Sequence, residues 1–317
     1  MRLPPLLMLA ALLVPCARRS AQARPAQAIV PAAGAPVAPR PRTDTLRIGV
    51  LASPAAARGE TEASMLRGVE LGADEANRAA SLLGHRVELV HAAAGGIDES
   101  LARFADARVT AIVGGADEKS CESLADALRE RAVLWLNAAC ASDALRGRAC
   151  SRWAFHVAPS DAMRRDARRL GDAPADAPIE SWHPSLERFG AAQLGERFLA
   201  RFGRPMDSPA WQGWLAVKVL GEASLRARST DPVALRDWLE RADARVDGHK
   251  GQPLSFRAWD HQLRQPLYRV APVAAAPESA PTPVEVPHAP PGERIESRVL
   301  LDRLGAGAGE TACRWHP

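Results

Sequence analysis

The sequence lacks the motifs that usually identify an enzyme or a metal protein. Its histidines are scattered, with no His-Glu-x-x-His spacing, and no two cysteines form a Cys-x-x-Cys pair, so the zinc sites that depend on these spacings are not indicated. There is no Gly-x-Ser-x-Gly elbow and no Gly-x-Gly-x-x-Gly motif after a predicted strand. We therefore predict a non-enzymatic protein with no catalytic residues, no metal site and no cofactor.

The chain also lacks a long basic tract. Its formal net charge is +4 and its pI is near 9.0, but the arginines are spread over both halves without interleaved aromatic residues. Proteins that bind nucleic acid usually concentrate their positive charge on one surface. We predict no nucleic-acid partner and interpret the arginines as part of a solvated surface.

Only one long hydrophobic run is present, and it lies at the N-terminus. Leu3 to Val14 is apolar but too short to span a bilayer stably. It follows the positive Met1-Arg2 and precedes Ala21-Gln22-Ala23, a small-residue cleavage site. Residues 1–23 are therefore predicted to be a secretory signal peptide, and the exported chain to have no membrane span. An N-terminal anchor that stays on the chain is the alternative.

Cysteine is scarce, with five residues in the chain. Loss of Cys16 with the signal peptide leaves Cys121, Cys140, Cys150 and Cys313, and an even number in an exported chain indicates disulfides. Cys121 and Cys140 follow two neighbouring predicted strands and should lie near the same sheet edge. This placement favours a Cys121–Cys140 pair and leaves Cys150 for Cys313. The two other pairings, and free thiols, remain open at this point.

The first half of the chain alternates predicted strands with predicted helices. Strands that are continuous apolar runs are typical of a parallel sheet covered on both faces. We predict an α/β fold over residues 46–170, with a doubly wound, five-stranded parallel sheet in the strand order 2-1-3-4-5. The predicted strands are Leu46–Leu51, Val87–His91, Val109–Val113, Ala132–Leu136 and Trp153–Val157.

The second half is predicted to be helical. No strand-like apolar run occurs between Leu170 and Gln252. Ser185, Ser208 and Asp231 are placed to begin three helices. Tryptophans at helical spacing are more often core residues than parts of an aromatic binding site. We therefore predict core positions for Trp182, Trp211, Trp214 and Trp238.

A short hairpin and a tail complete the predicted organisation. Pro253–Phe256 and Pro266–Val270 are predicted to pair about the polar Asp260-His261. The predicted segments are a signal peptide at 1–23, an Ala/Pro-rich linker at 24–45, an α/β lobe at 46–170, a linker at 171–179, helices and hairpin at 180–270, a Pro-rich linker at 271–294 and a tail at 295–317.

Several segments together resemble a known family. They are Ile48–Ala52, Arg67–Leu71, Glu75–Asn77, Leu83–Val90, Ala111–Gly114 and Phe155–Asp161. These residues resemble the type I periplasmic solute-binding proteins of ABC importers, in particular the branched-chain amino-acid binding proteins. Further segments are Leu145–Gly147, Gly203–Met206, Lys250–Arg257, Trp259–Pro266 and Glu310–Arg314. They resemble a subgroup associated with pyrroloquinoline-quinone-dependent (PQQ-dependent) alcohol dehydrogenase systems, and the Ser-Phe-Arg-x-Trp-Asp segment is the most specific.

The chain departs from the resembled family after the fifth strand. In that family the following helix leads into a second α/β lobe, and the two lobes close on the ligand. Here Leu170 is followed by the linker 171–179, and Glu180–Pro184 already resembles the segment that returns from the second lobe. On the order of a hundred residues of strand–helix units are missing by the size of a typical half-domain. We predict that the second lobe is largely truncated.

The resemblance implies a ligand site in the loops at the strand ends. Parallel sheets of this kind bind ligands at the C-terminal ends of their strands, and the resembled family uses hydroxyl and backbone groups there. The matching residues are Gly115, Ala116, Asp117, Asn137, Ala138, Ala139 and Cys140. Hydroxyl side chains are largely absent from these loops, and Asp117 could instead cap the next helix. A solvated loop is the alternative.

The resemblance also implies a function. The protein would be a periplasmic solute-binding-type component of an ABC import system linked to PQQ-dependent alcohol oxidation, with ligand closure impaired by the missing lobe. Its small-molecule ligand is unknown, and its partners would be an ABC permease or a periplasmic PQQ-dependent dehydrogenase. The alternative function is an accessory or interaction protein of a periplasmic quinoprotein dehydrogenase. A third hypothesis is an enzyme of flavodoxin-like architecture.

Overall fold

A computed structural model of the chain describes residues 44–53, 59–80, 84–92, 96–115, 117–171, 176–270, 283–289 and 293–315. The predicted signal peptide and the predicted linker up to residue 43 lie outside these described residues. Ala116 and parts of the predicted linkers 171–179 and 271–294 also lie outside them.

A five-stranded parallel sheet forms the centre of the described structure. Its order is β2-β1-β3-β4-β5, which confirms the predicted order. The strands are β1 (Asp44–Leu51), β2 (His85–His91), β3 (Ala111–Gly114), β4 (Leu134–Asn137) and β5 (Ala154–His156). Every residue of β3, β4 and β5 is buried, because helices cover both faces of the sheet.

Helices follow the strands and continue into the second half of the chain. They are α1 (Glu60–Ala80), α2 (Ile97–Asp106), α3 (Glu118–Ala127), α4 (Asp161–Leu170), α5 (Ala191–Phe202), α6 (Ser208–Ala227), α7 (Pro232–Leu239) and α8 (Ser297–Leu301), with a short 3₁₀ helix at Asp143–Arg146. Asp231 caps α7 as predicted, since its side chain accepts hydrogen bonds from the N–H groups of Val233 and Ala234.

Two predicted helix starts are wrong. The helix expected from Ser185 begins at Ala191, because Phe189 and Gly190 have φ angles of 59° and 84° and cannot continue a right-handed helix. The cap of α6 is Asp207 and not Ser208. Ser208 instead accepts hydrogen bonds from the N–H groups of residues 181 and 182.

Apolar side chains form separate clusters on the two faces of the sheet. Ile112 belongs to the cluster under α2 and α3, and its neighbour Val113 belongs to the larger cluster under α1 and α6. The larger cluster contains Trp182, Trp211 and Trp214, all at most 2% exposed, which confirms them as core residues. Trp238 is partly buried and packs against the same cluster.

The predicted hairpin is only partly right. β8 (Pro253–Phe256) pairs with β9 (Leu263–Arg264) and with β7 (Val246–Asp247). The segment predicted as the second strand, Pro266–Val270, instead belongs to a separate antiparallel sheet. Pro266 has no N–H group to donate, so it interrupts strand pairing between the two sheets.

That separate sheet includes part of a predicted linker. Its order is β11-β10-β6, formed by Pro283–Val286, Leu267–Val270 and Ile179–Glu180. Residues 283–286 lie within the segment predicted as an extended Pro-rich linker, yet they pair with β10. Val286 explains the difference, because it is fully buried in a small cluster with Met163, Ile179 and Leu267.

The described residues contain one parallel sheet, and both smaller sheets are antiparallel. In this part of the chain no helix is long and apolar enough to cross a membrane.

Candidate functional site

The predicted ligand residues lie at the C-terminal ends of β3 and β4. Gly115 is buried, and a side chain there would meet the sulfurs of Cys121 and Cys140 at 2.6 and 3.0 Å. Asp117 caps α3, because its carboxylate accepts hydrogen bonds from the Ser120 N–H and hydroxyl, both at 2.9 Å. The Ser120 N–H is also the main cause of the lowered pKa of Asp117. Ala116 lies outside the described residues.

Asn137 ends β4 and is fully buried. Its Oδ1 accepts hydrogen bonds from the N–H groups of Ala139 and Cys140 at 3.1 and 2.8 Å. Its Nδ2 donates to the Cys140 carbonyl at 2.8 Å and lies 3.0 Å from Nδ1 of His156. Ala138 is buried and Ala139 is exposed. The Asn137 amide therefore has its hydrogen-bonding groups engaged within the chain.

Both favoured disulfides are present. Cys121 is bonded to Cys140, and Cys150 to Cys313. The first joins the start of α3 to the loop after β4, and the second joins the loop before β5 to the C-terminal segment. The thiols are therefore not free to serve as ligands or nucleophiles at the strand ends.

Arg146 is the principal residue at this edge that sequence reasoning did not assign a role. It is 5% exposed. Its guanidinium donates to the carbonyls of Cys140, Ser142 and Ala158 at 2.9, 3.0 and 2.6 Å, and to Oε1 of Gln262 at 2.8 Å. Burial lowers the pKa of Arg146 to about 9, against the opposing charges of nearby aspartates. The group still carries its positive charge at neutral pH.

Two glutamines from the C-terminal half of the chain contact the same edge of the sheet. Gln262 donates from Nε2 to the carbonyls of His156 and Ala158 at 3.0 and 3.2 Å, and Gln265 donates to the carbonyl of Val157 at 2.7 Å. His156 and Gln262 also form an isolated parallel bridge beside β5. We call Asn137, Arg146, His156, Gln262 and Gln265 the strand-end network.

His156 lies at the centre of the strand-end network. Burial, with the positive charge of Arg146 and the nearby His261, holds its pKa well below the ordinary value. Its Nδ1 faces the Asn137 amide, while its buried Nε2 has no hydrogen-bond partner among the described residues.

The segment that carries Gln262 is fixed to the C-terminal end of the chain. Arg257 is 1% exposed, and its guanidinium donates to the carbonyls of Leu301, Leu304 and Ala306. Lys250 is also buried and donates to Gln265 Oε1 and the Pro266 carbonyl at 2.9 and 3.0 Å. These contacts hold the two glutamines against β5. Among the described residues no group of histidines, cysteines and carboxylates is placed to hold a metal ion.

The sequence contains segments that include residues of the strand-end network, but it does not show that these residues contact one another. Leu145–Gly147 and Trp259–Pro266 resemble a family pattern, but that resemblance assigns no role to their polar side chains. The contact between Arg146 and Gln262 spans 116 residues, and local periodicity carries no information on such a pairing.

Comparisons with known proteins agree with this architecture. Residues 45–177 match a family model described as periplasmic binding protein. No curated protein matches the sequence. A periplasmic binding protein from Burkholderia mallei superposes with a TM-score of 0.65 at 12% identity, over 86% of this chain and 100% of that one. An ABC transporter substrate-binding protein from Sphaerobacter thermophilus gives 0.59 at 14% identity, over 77% and 97%.

A third solved structure is described with its ligand. It is a branched-chain amino acid transporter substrate binding protein from Streptococcus pneumoniae in complex with isoleucine, with a TM-score of 0.59 at 14% identity, over 76% of this chain and 100% of that one. Identities at this level establish the fold alone. The chain therefore has the α/β fold of a type I periplasmic binding protein lobe, built on one five-stranded parallel sheet.

Proposed function

We propose that the protein is an exported, non-enzymatic solute-binding-type component of an ABC import system, with impaired ligand closure. The observation that carries the proposal is the occupied strand-end edge. In this fold the edge is where a ligand is expected, but here Arg146, Gln262 and Gln265 use the carbonyls of residues 140, 142, 157 and 158. We propose that these side chains take the place that a solute would occupy.

The exposed groups at this edge do not suit an amino acid either. Asp117 and Ala139 are the exposed members of the predicted set among the described residues. The Asp117 carboxylate could bind the ammonium group of an amino acid but would repel its carboxylate, for which Ala139 offers no side-chain donor. Weak or absent binding of branched-chain amino acids follows from this arrangement.

We further propose that residues 46–170 form the retained lobe and that 171–179 replaces most of the second one. Closure of two lobes about a hinge supplies ligand contacts from both sides, so a chain with one lobe loses about half of them. The truncation rests on the presence of one parallel sheet among the described residues. The structural alignments, which extend over 97–100% of the solved chains described above, carry no argument for it.

The most specific part of the proposal is the link to PQQ-dependent alcohol oxidation. It rests on the resemblance of residues 250–266 and of the C-terminal segment to that subgroup. The structure supports treating the two segments as one unit, since Arg257 of the first binds the carbonyls of Leu301, Leu304 and Ala306 in the second.

A second candidate function is an accessory protein of a periplasmic quinoprotein dehydrogenase. An edge closed in the proposed way would favour it, because a surface that does not hold a solute can still serve as a rigid docking face. In this reading the strand-end network maintains the shape of that face instead of binding a small molecule.

Co-purification from the native host distinguishes the two candidates. The full chain would carry an affinity tag after residue 317, and cells would be cross-linked before extraction. Capture of an ABC permease supports the import component, and capture of a quinoprotein dehydrogenase or its cytochrome supports the accessory protein. Capture of neither, above a tagged unrelated periplasmic protein, contradicts both.

The mass of the native protein tests export and truncation together. We expect a mature chain that begins at residue 24 and has no inserted domain between residues 170 and 180. A native chain longer by about a hundred residues would show that the second lobe is present, and a retained N-terminus would contradict cleavage of the signal peptide.

A further inference from the structure

A pocket of about 320 Å³ lies where three segments of the chain meet. Its wall is formed by the turn that follows α3, by the loop 147–152 before β5 and by the C-terminal residues 312–315. The Cys150–Cys313 disulfide joins the second of these segments to the third, and Cys150 lines the pocket. Because this bond fixes the two segments relative to each other, part of the wall is held in place before any ligand binds.

The charged side chains in the wall of this pocket all have the same sign. They are Arg129, Arg148, Arg152 and Arg314, and no acidic side chain lines the pocket. We call this site the arginine pocket. Charges of one sign that line a concave surface raise the local concentration of counter-ions. The wall therefore favours an anionic ligand over a neutral or cationic one.

Two of the four arginines have only weak partners outside the wall. Arg129 and Arg148 are exposed. Each meets a single carboxylate oxygen, Arg129 that of Asp126 at 3.0 Å and Arg148 that of Glu122 at 3.7 Å. Exposed pairs of this kind contribute little to stability, and a guanidinium has five N–H donors. Both side chains can therefore bind an anion in the pocket without a large loss elsewhere.

The other two arginines differ from each other. Arg152 is held by both carboxylate oxygens of Glu240, at 3.0 and 2.9 Å. Arg314 donates from Nη1 to the carbonyls of Thr311 and Cys313 at 3.0 and 3.2 Å, and it has no carboxylate partner in the described part of the chain. The four arginines thus have three carboxylate partners between them, and one positive charge of the wall is not compensated by an ion pair.

The type of cation indicates the type of anion. Guanidinium groups bind phosphate oxygens through paired, charge-assisted hydrogen bonds, which are stronger than bonds between neutral groups. Several guanidiniums around one pocket suit an anion with more than one charge and several acceptor oxygens, and a phosphate group has both. Trp315 also lines the pocket and packs against His261, with 4.5 Å between the ring centroids. An apolar surface therefore lies beside the arginines.

We propose that the arginine pocket binds a small molecule that carries a phosphate group, either inorganic phosphate or a phosphate monoester. Arg129, Arg148 and Arg314 bind the phosphate oxygens. Trp315 contacts the organic group of an ester. The arginine pocket shares no residue with the strand-end network, so this proposal stands or fails independently of the function proposed above.

Inorganic phosphate, phenyl phosphate and succinate are suitable probes. We expect saturable binding of at least one phosphate probe to the mature full-length protein, with a dissociation constant below about 1 mM, by calorimetry at pH 8 and constant ionic strength. Tighter binding of phenyl phosphate would identify the monoester as the ligand, and equal binding would identify the phosphate group alone. Absence of saturable binding of both, or tighter binding of succinate, would overturn the proposal.

Three variants locate the site. Arg148→Met and Arg314→Met should each weaken phosphate binding about tenfold or more, the factor expected for the loss of a charged hydrogen bond. The matched control is Arg188→Met, because Arg188 is also exposed but does not line the arginine pocket. This variant removes the same net charge and should bind the probe as the parent does. Equal weakening in all three variants would show attraction by net charge alone and would contradict the assignment, as would unchanged binding in Arg148→Met and Arg314→Met.

Discussion

At the residue scale, the buried Arg146 guanidinium binds carbonyl oxygens at the strand-end edge. A buried guanidinium is costly unless its donors are satisfied, and here three carbonyls and one amide oxygen satisfy four of them. The carbonyl oxygens belong to the loops after β4 and β5, so one side chain fixes the geometry of both loops. This arrangement makes the strand-end edge rigid and leaves few unpaired carbonyl oxygens there for a solute.

Removal of Arg146 should therefore destabilise the fold strongly. We expect Arg146→Met to lower the free energy of unfolding by about 3–5 kcal/mol, because four buried polar partners lose their bonds. Arg148→Met is the matched control two residues away. The Arg148 side chain is 76% exposed and lies 3.7 Å from Glu122, so its loss should cost less than about 1 kcal/mol. Urea unfolding measures both, and equal losses would contradict the role of Arg146.

His156 should make stability depend on pH. Its pKa is lowered in the folded protein, chiefly by burial, so the unfolded chain takes up the proton first as pH falls. Stability is therefore complete above the unfolded pKa of about 6.5 and declines below it, by about 1.4 kcal/mol per pH unit.

We expect His156→Gln to remove that part of the slope between pH 6.5 and 5, whatever its effect on absolute stability. The lowered pKa of His261 acts in the same direction, so some slope should remain. His91→Gln, at an exposed position, is the control. Denaturant unfolding at several pH values measures the slope, and an unaltered slope in His156→Gln would contradict the account.

A local sequence pattern was enough to predict the role of one of the strand-end residues. The sequence predicts Asp117 as a possible helix cap, because a cap depends on residues only three positions apart. Arg146 and Gln262 could not be assigned in this way, since their roles depend on a contact between distant segments. Whether Asn137 can still touch a ligand stays a prediction.

At the scale of elements, the pair α1–α6 organises the larger core. Gly68, Gly72 and Gly213 allow their backbones to approach within contact distance, and Trp214 and Leu215 pack beneath them in the larger cluster. No other residue type fits at the closest point, because a Cβ at Gly68 would overlap the Ala210 carbonyl.

Gly68→Ala should consequently destabilise the protein, although alanine favours helices. We expect a loss of about 1–3 kcal/mol or more from overpacking. Gly195→Ala, where an added Cβ meets nothing within 4 Å, should instead gain about 0.5–1 kcal/mol. Thermal unfolding of the two variants gives the comparison, and shifts of the same sign would contradict the close-packing account.

Elements with a strong periodic pattern were predictable. The five parallel strands and their order follow from continuous apolar runs separated by amphipathic helices. The pairing of β10 and β11 was missed, because Pro283–Val286 lies in a proline-rich context and its partner strand is known only from the folded chain. The hairpin was assigned the wrong second strand for a related reason, since either nearby short run could have paired with β8.

At the scale of the whole molecule, the disulfides join distant parts of the chain. Cys150 and Cys313 are 163 residues apart, and Cys121 and Cys140 are 19 residues apart. Restricting the unfolded chain is worth about 5 kcal/mol for the longer loop and about 3 kcal/mol for the shorter one. The longer bridge also ties the C-terminal segment to the loop before β5.

Paired Cys→Ala variants test this difference. We expect loss of the Cys150–Cys313 bridge to lower the unfolding midpoint more than loss of the Cys121–Cys140 bridge. Urea unfolding under non-reducing conditions provides the measurement. An equal or smaller effect of the longer bridge would indicate that the C-terminal segment is held by its hydrogen bonds instead of by the covalent link.

We proposed that the chain keeps the lobe of a solute-binding protein and that its own side chains close the ligand edge. Isothermal titration calorimetry of the mature protein with leucine, isoleucine and valine tests it most directly. The isoleucine-bound Streptococcus pneumoniae protein serves as positive control. We predict no saturable heat at micromolar concentrations of any of the three. A micromolar dissociation constant for one of them, which corresponds to about 8 kcal/mol of binding free energy, would contradict the account.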